Sequence, residues 1–330
     1  MPRCDIVVVG GSAGALQPLR EIVGSLPQNL PAAVIVVMHL SPEFPSNLAN
    51  ILGRSGPLKA VQATDGEPIR HGHIYVPTPD RHLTVENGHM RVQLGPRENR
   101  HRPAIDPLFR SAAKVYGRRV VGVIVSGQLD DGSAGLLAIR ARGGYAIVQD
   151  PEDAQARQMP ESALNYGGAD AVLPAAQIGP ALLTHVNRCI GGAMKESDAR
   201  KSIQEDEFAN LEVSTPDEGE GVPSAFSCPE CGGVLWELKD GNRVRFRCRV
   251  GHAYSMKSLR EEQADTLEAT LWAAMRALEE KAALETRMLG SMTDSRIVTR
   301  LKEQAEADRE HAEVLRRMLT GQEEAVRSAG

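Results

Sequence analysis

The chain has 330 residues, 42 % hydrophobic and 25 % charged, enough to bury a full core in at least one domain and long enough for two or more. A net charge of -5 argues against a surface devoted to nucleic acid, and no apolar run approaches the ~20 residues of a membrane span. The N-terminus lacks the regions of a signal peptide, and five cysteines are too few and too uneven for a disulfide framework, so a cytoplasmic protein is expected.

Residues 5 to about 187 alternate short apolar runs with helical patterns. Strand-like runs fall at 6–9, 33–38, 120–125 and 145–148, the second and third nearly continuous in Val and Ile as suits strands buried on both faces of a parallel sheet. Helical stretches at 16–26 and 134–142 lie between them, and the insert 73–94, with Asn87-Gly88 as its turn, reads as a hairpin or meander. Such alternation predicts a doubly wound, mostly parallel α/β domain over 1–190. From 191 to 222 acidic residues accumulate without apolar pattern, as in an extended flexible linker. A compact Cys/His segment follows at 223–258. Two helical patterns at 259–289 and 295–319, separated by Gly290-Ser291 and a capping Asp294, predict a helical hairpin within 259–330.

A serine, a histidine and an aspartate pair fall just past the ends of three buried runs. Ser12 sits in Gly10-Gly11-Ser12-Ala13-Gly14, between the first run and a helix, where small neighbours allow the sharp turn of a nucleophile elbow. A glycine-rich turn cradling a phosphate is the competing reading of that motif. His39 ends the second run, and Asp130 and Asp131 follow the third across Ser126-Gly127-Gln128-Leu129. Each alone has a plain explanation as a capping or turn residue. Together they supply a nucleophile, a base and an orienting acid at the sheet edge where α/β domains bind ligands. The order Ser, His, Asp differs from that of α/β-hydrolases.

At this point five separated blocks carry a resemblance: Gly-Gly-Ser-Ala-Gly at 10–14, Val-Met-His-Leu-Ser at 37–41, Arg-Pro-Ala-Ile-Asp-Pro-Leu-Phe-Arg-Ser at 102–111, Ser-Gly-Gln-Leu-Asp-Asp-Gly at 126–132 and Gln-Met-Pro-Glu-Ser-Ala at 158–163. In this order they resemble the CheB-type protein-glutamate methylesterases, over roughly residues 3–190. The resemblance implies hydrolysis of glutamate methyl esters, and deamidation of certain glutamines, on chemotaxis receptors. It places nucleophile, base and acid on Ser12, His39 and Asp131, the aspartate next to glycine. Backbone amides of Ala13 and Gln128 are the candidates for the oxyanion hole. The chain departs from the family at Gln128-Leu129, where Met-Gly is usual, and at Ala13, where threonine is frequent. A glycine lost at Leu129 is expected to affect the loop. A receiver domain is not expected ahead of the catalytic strand, so control through one is not expected either.

Cys228-Pro-Glu-Cys231 and Cys248-Arg-Val-Gly-His252 have the spacing of paired zinc knuckles around a two-stranded-looking segment, a closed Cys3His set resembling a structural zinc ribbon. Zinc is the expected cofactor there, and catalysis is expected to need none. Arg243, Arg245, Arg247 and Arg249 alternate with Val244, Phe246 and Cys248, placing four guanidinium groups on one strand face. That face is either merely solvated or a docking surface for a carboxylate-rich helix, the acidic linker or a nucleic-acid backbone. The expected partner is a methylated chemoreceptor or related signalling protein, with nucleic acid disfavoured and homo-oligomers formed through the C-terminal helices an open option. Residues 223–330 read as a targeting or assembly module, so a chain cut near Cys189 should keep small-ester activity. The rival reading is a non-catalytic recruitment protein on a methylesterase scaffold.

Overall fold

The computed structural model describes residues 5–42, 44–190, 221–240, 243–291 and 295–327. The linker expected over 191–222 therefore lies almost wholly outside the described residues, as do Asp294 and the side chain of Arg243. The chain divides into two compact units, meeting at Leu259 and Arg260.

The first unit opens with β1 (Ile6–Gly11), α1 (Leu16–Gly24), β2 (Ala33–Met38), α2 (Leu48–Ser55), β3 (Lys59–Gln62), β4 (His73–Val76), β5 (His82–Glu86) and β6 (His89–Gln93). It continues with α3 (Ile105–Tyr116), β7 (Val120–Ile124), α4 (Ser133–Ala141), β8 (Tyr145–Gln149), α5 (Gln158–Tyr166), β9 (Ala171–Leu173) and α6 (Ala175–Ile190). Seven strands form one sheet in the order β3-β4-β2-β1-β7-β8-β9, parallel throughout. Both faces are covered. Val7, Val9, Val34 and Val36 pack with Leu19, Ile22, Leu52 and Leu182 on one side, while Ile6, Val8, Ile35 and Val37 pack with Ile105, Phe109, Leu136 and Met159 on the other. Period-two alternation thus feeds two cores, which is why the strands read as unbroken Val/Ile runs. The 73–94 insert is only partly a hairpin. β5 and β6 pair around Asn87-Gly88 on their own, but β4 joins the main sheet between β2 and β3.

The Cys/His segment forms a four-stranded antiparallel sheet of β10 (Val222–Ser227), β11 (Val234–Asp240), β12 (Arg243–Cys248) and β13 (Ala253–Ser255), larger than the two strands expected. Its small core is Cys228, Leu235, Phe246, Cys248, Tyr254 and Leu259. α7 (Met256–Met288) leads into the second unit, whose other helix is α8 (Ser295–Arg327). There the two helices run antiparallel, with Lys281 on Asp308 at 2.8 Å, Arg309 donating to Thr286 at 2.7 Å, and Arg316 paired with Glu279. Met275, Ala282, Ala305, Ala312 and Leu319 are buried, whereas Leu267 and Ile297 are exposed.

Candidate functional site

Strand order sets the site. The chain reverses direction of winding at β1, with β2 on one side and β7 on the other, and such a switch point opens a crevice at the strands' carboxyl ends. Gly11 pairs with Met38 in register, so one residue further Ser12 meets His39. The Ser12 N–H donates to Ser126 O at 2.9 Å, and the His39 N–H to Gly11 O, carrying the ladder past the strand ends. The turn needs its glycines. A Cβ on Gly11 would lie 2.6 Å from Ala15 Cβ, and Gly14 has a φ of +72°.

The three predicted side chains converge. His39 Nδ1 lies 3.0 Å from Ser12 Oγ, and His39 Nε2 lies 2.8 Å from Asp131 Oδ2. A linked chain that can remove the serine proton requires hydrogen on Nε2, donated to Asp131, and a lone pair on Nδ1 facing Ser12. The two ring nitrogens are thus exchanged relative to the serine-protease triad. Asp130, the other candidate, points elsewhere and accepts from Ser255 Oγ at 2.8 Å.

Asp131 is almost fully buried and accepts four hydrogen bonds, from His39 Nε2, from the Ile105 N–H at 2.7 Å, from the Asp106 N–H at 3.2 Å and from Asn99 Nδ2 at 3.0 Å. Ile105 and Asp106 open α3, so the carboxylate caps a helix N-terminus, where unpaired N–H groups and the helix dipole favour an anion. Burial alone would raise its pKa. The His39 hydrogen bond and charge, with the Ile105 N–H and the Asn99 amide, outweigh burial and hold it below the usual carboxylate range. Neighbouring Asp106 is pushed up to about 7, by burial first and then by the Asp131 charge. Against one face of the His39 ring lies His101, stacked at 3.5 Å and 16°. Burial, then the proximity of His39, lowers His101 to about 3 and keeps it neutral.

Of the oxyanion candidates, Ala13 and Gln128 have no acceptor for their N–H within the protein among the described residues, whereas the Gly127 N–H is committed to Ala156 O. Leu129 occupies the glycine-like position and adopts φ +60°. The left-handed turn is therefore kept without glycine. Gln158 Oε1 accepts the Leu129 N–H at 3.1 Å, and Ser162 Oγ donates to its carbonyl at 3.0 Å.

Cys228, Cys231, Cys248 and His252 meet, their ligand atoms all within 4.8 Å of one another. Cys231 Sγ to Cys248 Sγ is 3.6 Å, and His252 Nδ1 lies 3.6 Å and 3.5 Å from Cys228 and Cys248 Sγ. A tetrahedral zinc with Zn–S of about 2.3 Å sets S···S edges near ~3.8 Å, so the donor set fits such an ion. Glu230 Oε2 stands 3.4 Å from His252 Nε2, where a carboxylate orients a ligating imidazole, a partner the ligand spacing does not reveal. Arg245, in the middle of the arginine alternation, turns toward the catalytic domain. Arg245 lies 3.4 Å from Glu98, itself held to about 2, with burial outweighed by the charges of Arg110 and Arg245. Arg247 is part-buried, and Arg249, past the end of β12, is exposed.

Sequence reasoning misses Glu98, Asn99 and His101, which occupy one aperiodic loop directly before the Arg-Pro-Ala-Ile-Asp block. Their only signal is a run of polar residues between Pro96 and Pro103 in a position next to that block.

Comparison with known proteins gives one family, CheB methylesterase, over residues 7–182. The chain is 37 % identical over 177 residues to protein-glutamate methylesterase/protein-glutamine glutaminase 2 of Rhizobium johnstonii, covering 52 % of this chain and 48 % of that protein. With the Escherichia coli K12 protein-glutamate methylesterase/protein-glutamine glutaminase it shares 33 % over 186 residues, 55 % of this chain and 53 % of that one. It thus spans about half the length of the curated relatives it matches. The crystal structure of the Thermotoga maritima CheB methylesterase catalytic domain superposes with a TM-score of 0.53 at 34 % identity, covering 56 % of this chain and 99 % of that one. With more than half of its length matched and that domain's fold reproduced, the chain belongs to the CheB methylesterase family.

Proposed function

We propose that the protein is a cytoplasmic serine hydrolase that demethylates glutamate methyl esters, and deamidates glutamines, on a chemoreceptor or related signalling protein. The observation that carries this reading is the Ser12–His39–Asp131 chain, with links of 3.0 Å and 2.8 Å at the switch point of the sheet. Ser12 Oγ attacks the ester carbonyl carbon as His39 Nδ1 takes its proton. Asp131 and neutral His101 hold the resulting imidazolium on its two sides. The carbonyl oxygen gains the electron pair and is met by the N–H groups of Ala13 and Gln128. As the carbonyl re-forms, the C–O bond to methoxide breaks and His39 returns its proton, so methanol leaves and an acyl-Ser12 ester remains. His39 then deprotonates a water, whose attack releases the glutamate side chain and restores Ser12.

Zinc is our assignment for the Cys228–Cys231–Cys248–His252 set, which when bound would cross-link the two knuckles and leave no position open for substrate. Gly232 and Gly251, with φ of +70° and +106°, support the tight turns that such knuckles need. Exposed Leu267, Trp272 and Leu284 on α7 support pairing of the C-terminal helices between chains, which light scattering of the full chain would test. The serine reading is tested by a serine-directed organophosphonate: one adduct per chain, mapped to Ser12 and absent from Ser12→Ala, is expected. Stable non-reactivity of the folded protein would refute it.

A further inference from the structure

The Cys/His module is joined to the catalytic domain by a strand and a corner. The Ala253 N–H donates to Arg97 O at 3.2 Å, and the Asn99 N–H donates to Ala253 O at 2.8 Å, so β13 pairs with the loop before α3. Gly251 closes against Pro96 of that loop, where a Cβ would come within 2.8 Å of the proline ring. Two residues past Ala253, the chain turns into α7, and this corner faces the Asn99 side chain.

All four hydrogen-bonding positions of the Asn99 carboxamide are used. Its Oδ1 accepts from the Ser255 N–H at 3.0 Å and from Ser258 Oγ at 3.2 Å, while its Nδ2 donates to Asp131 Oδ1 and to Asp106 Oδ2, both at 3.0 Å. A backbone N–H can only donate. The amide oxygen must therefore face Ser255, which leaves the NH2 group facing the two carboxylates. Ser255 Oγ adds a bond to Asp130, next to the triad acid in sequence, and Lys257 Nζ donates to Ser162, which holds the Leu129 carbonyl. Asn99 and Arg100 adopt consecutive left-handed conformations, φ 48° and 74°, that L-residues rarely hold unaided.

We infer that the Cys/His module is a working part of the catalytic site: its Ser255–Ser258 corner fixes Asn99, Asn99 fixes Asp131, and metal occupancy thereby sets the reactivity of Ser12. The inference rests on the serine-nucleophile reading and adds a dependence that the relatives' shared catalytic region does not itself imply. The route from ligand to acid is short. His252 immediately precedes β13, and the six-residue core of the module is too small to persist without its metal cross-link. Metal loss withdraws both donors from Asn99 Oδ1, frees the carboxamide to rotate, and releases the loop that also carries His101. Asn99 is a positioning residue, since it acts through Asp131 and touches no reacting atom.

The test uses the full chain, loaded or stripped of zinc by chelation under reducing conditions, with metal content checked by mass spectrometry. The rate constant for organophosphonate labelling of Ser12 should fall at least tenfold on stripping and return on adding zinc. Zinc-loaded Asn99→Ala should start about tenfold low and lose less than a further twofold on stripping, because both changes break the same link. Ser258→Ala, the milder variant, should keep its zinc and lose severalfold, with kcat on a small methyl ester falling and KM unchanged. Hydrogen exchange of β1, β2 and β7 should not change on stripping. Equal labelling rates with and without zinc would overturn the inference, as would a full tenfold zinc effect persisting in Asn99→Ala. Collapse of sheet protection would make the module a general scaffold and overturn it too. Absence of Ser12 labelling in the loaded protein would instead sink the serine reading, and this inference with it.

Discussion

Replacing Asp131 by asparagine changes one atom and reverses half of the acid's hydrogen bonding. The carboxylate offers four acceptor positions, and each receives a donor: His39 and Ile105 at Oδ2, Asn99 and Asp106 at Oδ1. An asparagine keeps one acceptor oxygen, so either orientation points an NH2 group at two donors. With NH2 toward Oδ1's partners, the Asp106 N–H and Asn99 are opposed. With NH2 toward Oδ2's partners, the Ile105 N–H is opposed and His39 can be satisfied only by moving its proton to Nδ1, where it can no longer accept from Ser12. The first orientation leaves two buried donors unpaired, about 2–6 kcal/mol, and the second only the Ile105 N–H, about 1–3 kcal/mol. The second, which shifts the His39 tautomer, is therefore favoured, its cost offset in part by relief of the Asp106–Asp131 repulsion. The wrong tautomer lowers turnover about 10⁴-fold where an equivalent aspartate has been neutralised in a serine triad. The assay is turnover of a small methyl ester, alongside near-UV circular dichroism to establish that the variant is folded. A folded Asp131→Asn variant within tenfold of wild type would refute the claim that Asp131 sets the His39 tautomer.

Other expectations follow from neighbouring contacts. Glu98 has a folded pKa of about 2, below the ~4.3 of an unfolded glutamate, so its contribution is full above about pH 4.3 and is lost as pH falls toward 2. Glu98→Gln should therefore lower Tm at pH 7 by about 5–10 °C, on the order of 3 kcal/mol, and flatten the acid limb of the stability curve; an unchanged limb would contradict the ion pairs with Arg110 and Arg245. At Leu129, with φ +60°, substitution by glycine should leave Tm unchanged or raise it by a few degrees, whereas Leu129→Val should lower it by ~1–2 kcal/mol or more. The opposite ranking in a thermal scan would show that the loop is not held left-handed. A chain cut near Cys189 should lose at least tenfold in small-ester turnover, because Asn99 then lacks Ser255 and Ser258; full activity would restore the separable module that the sequence suggests.

The central strands are legible from their residues because burial on both faces leaves a plain Val/Ile run at 6–9 and 33–38. β3 and β9 are not. They are short edge strands whose residues are half-exposed, so neither alternation nor a continuous run marks them. The Ser12–His39–Asp131 chain is legible because His39 follows a buried run directly and Ser12 and Asp131 lie a short turn or loop past two others, and the Cys/His quartet because knuckle spacing is local. Asn99 and His101 escape because nothing periodic governs their loop; their meaning arises where residues 97–101 meet Ser255, about 155 positions later. The arginine alternation of 243–249 predicts a shared strand face but not its direction. That depends on Glu98, a residue placed by tertiary packing.

The central claim is that Ser12 opens a carboxylic ester of a protein glutamate. The measurement that tests it most directly is methanol released from a methylated chemoreceptor by the wild-type chain and by Ser12→Ala, at equal metal content. The account predicts catalytic release by wild type and none above background by the folded variant. Wild-type-level methanol from Ser12→Ala, or none from a wild-type chain whose Ser12 labels fully, would contradict it.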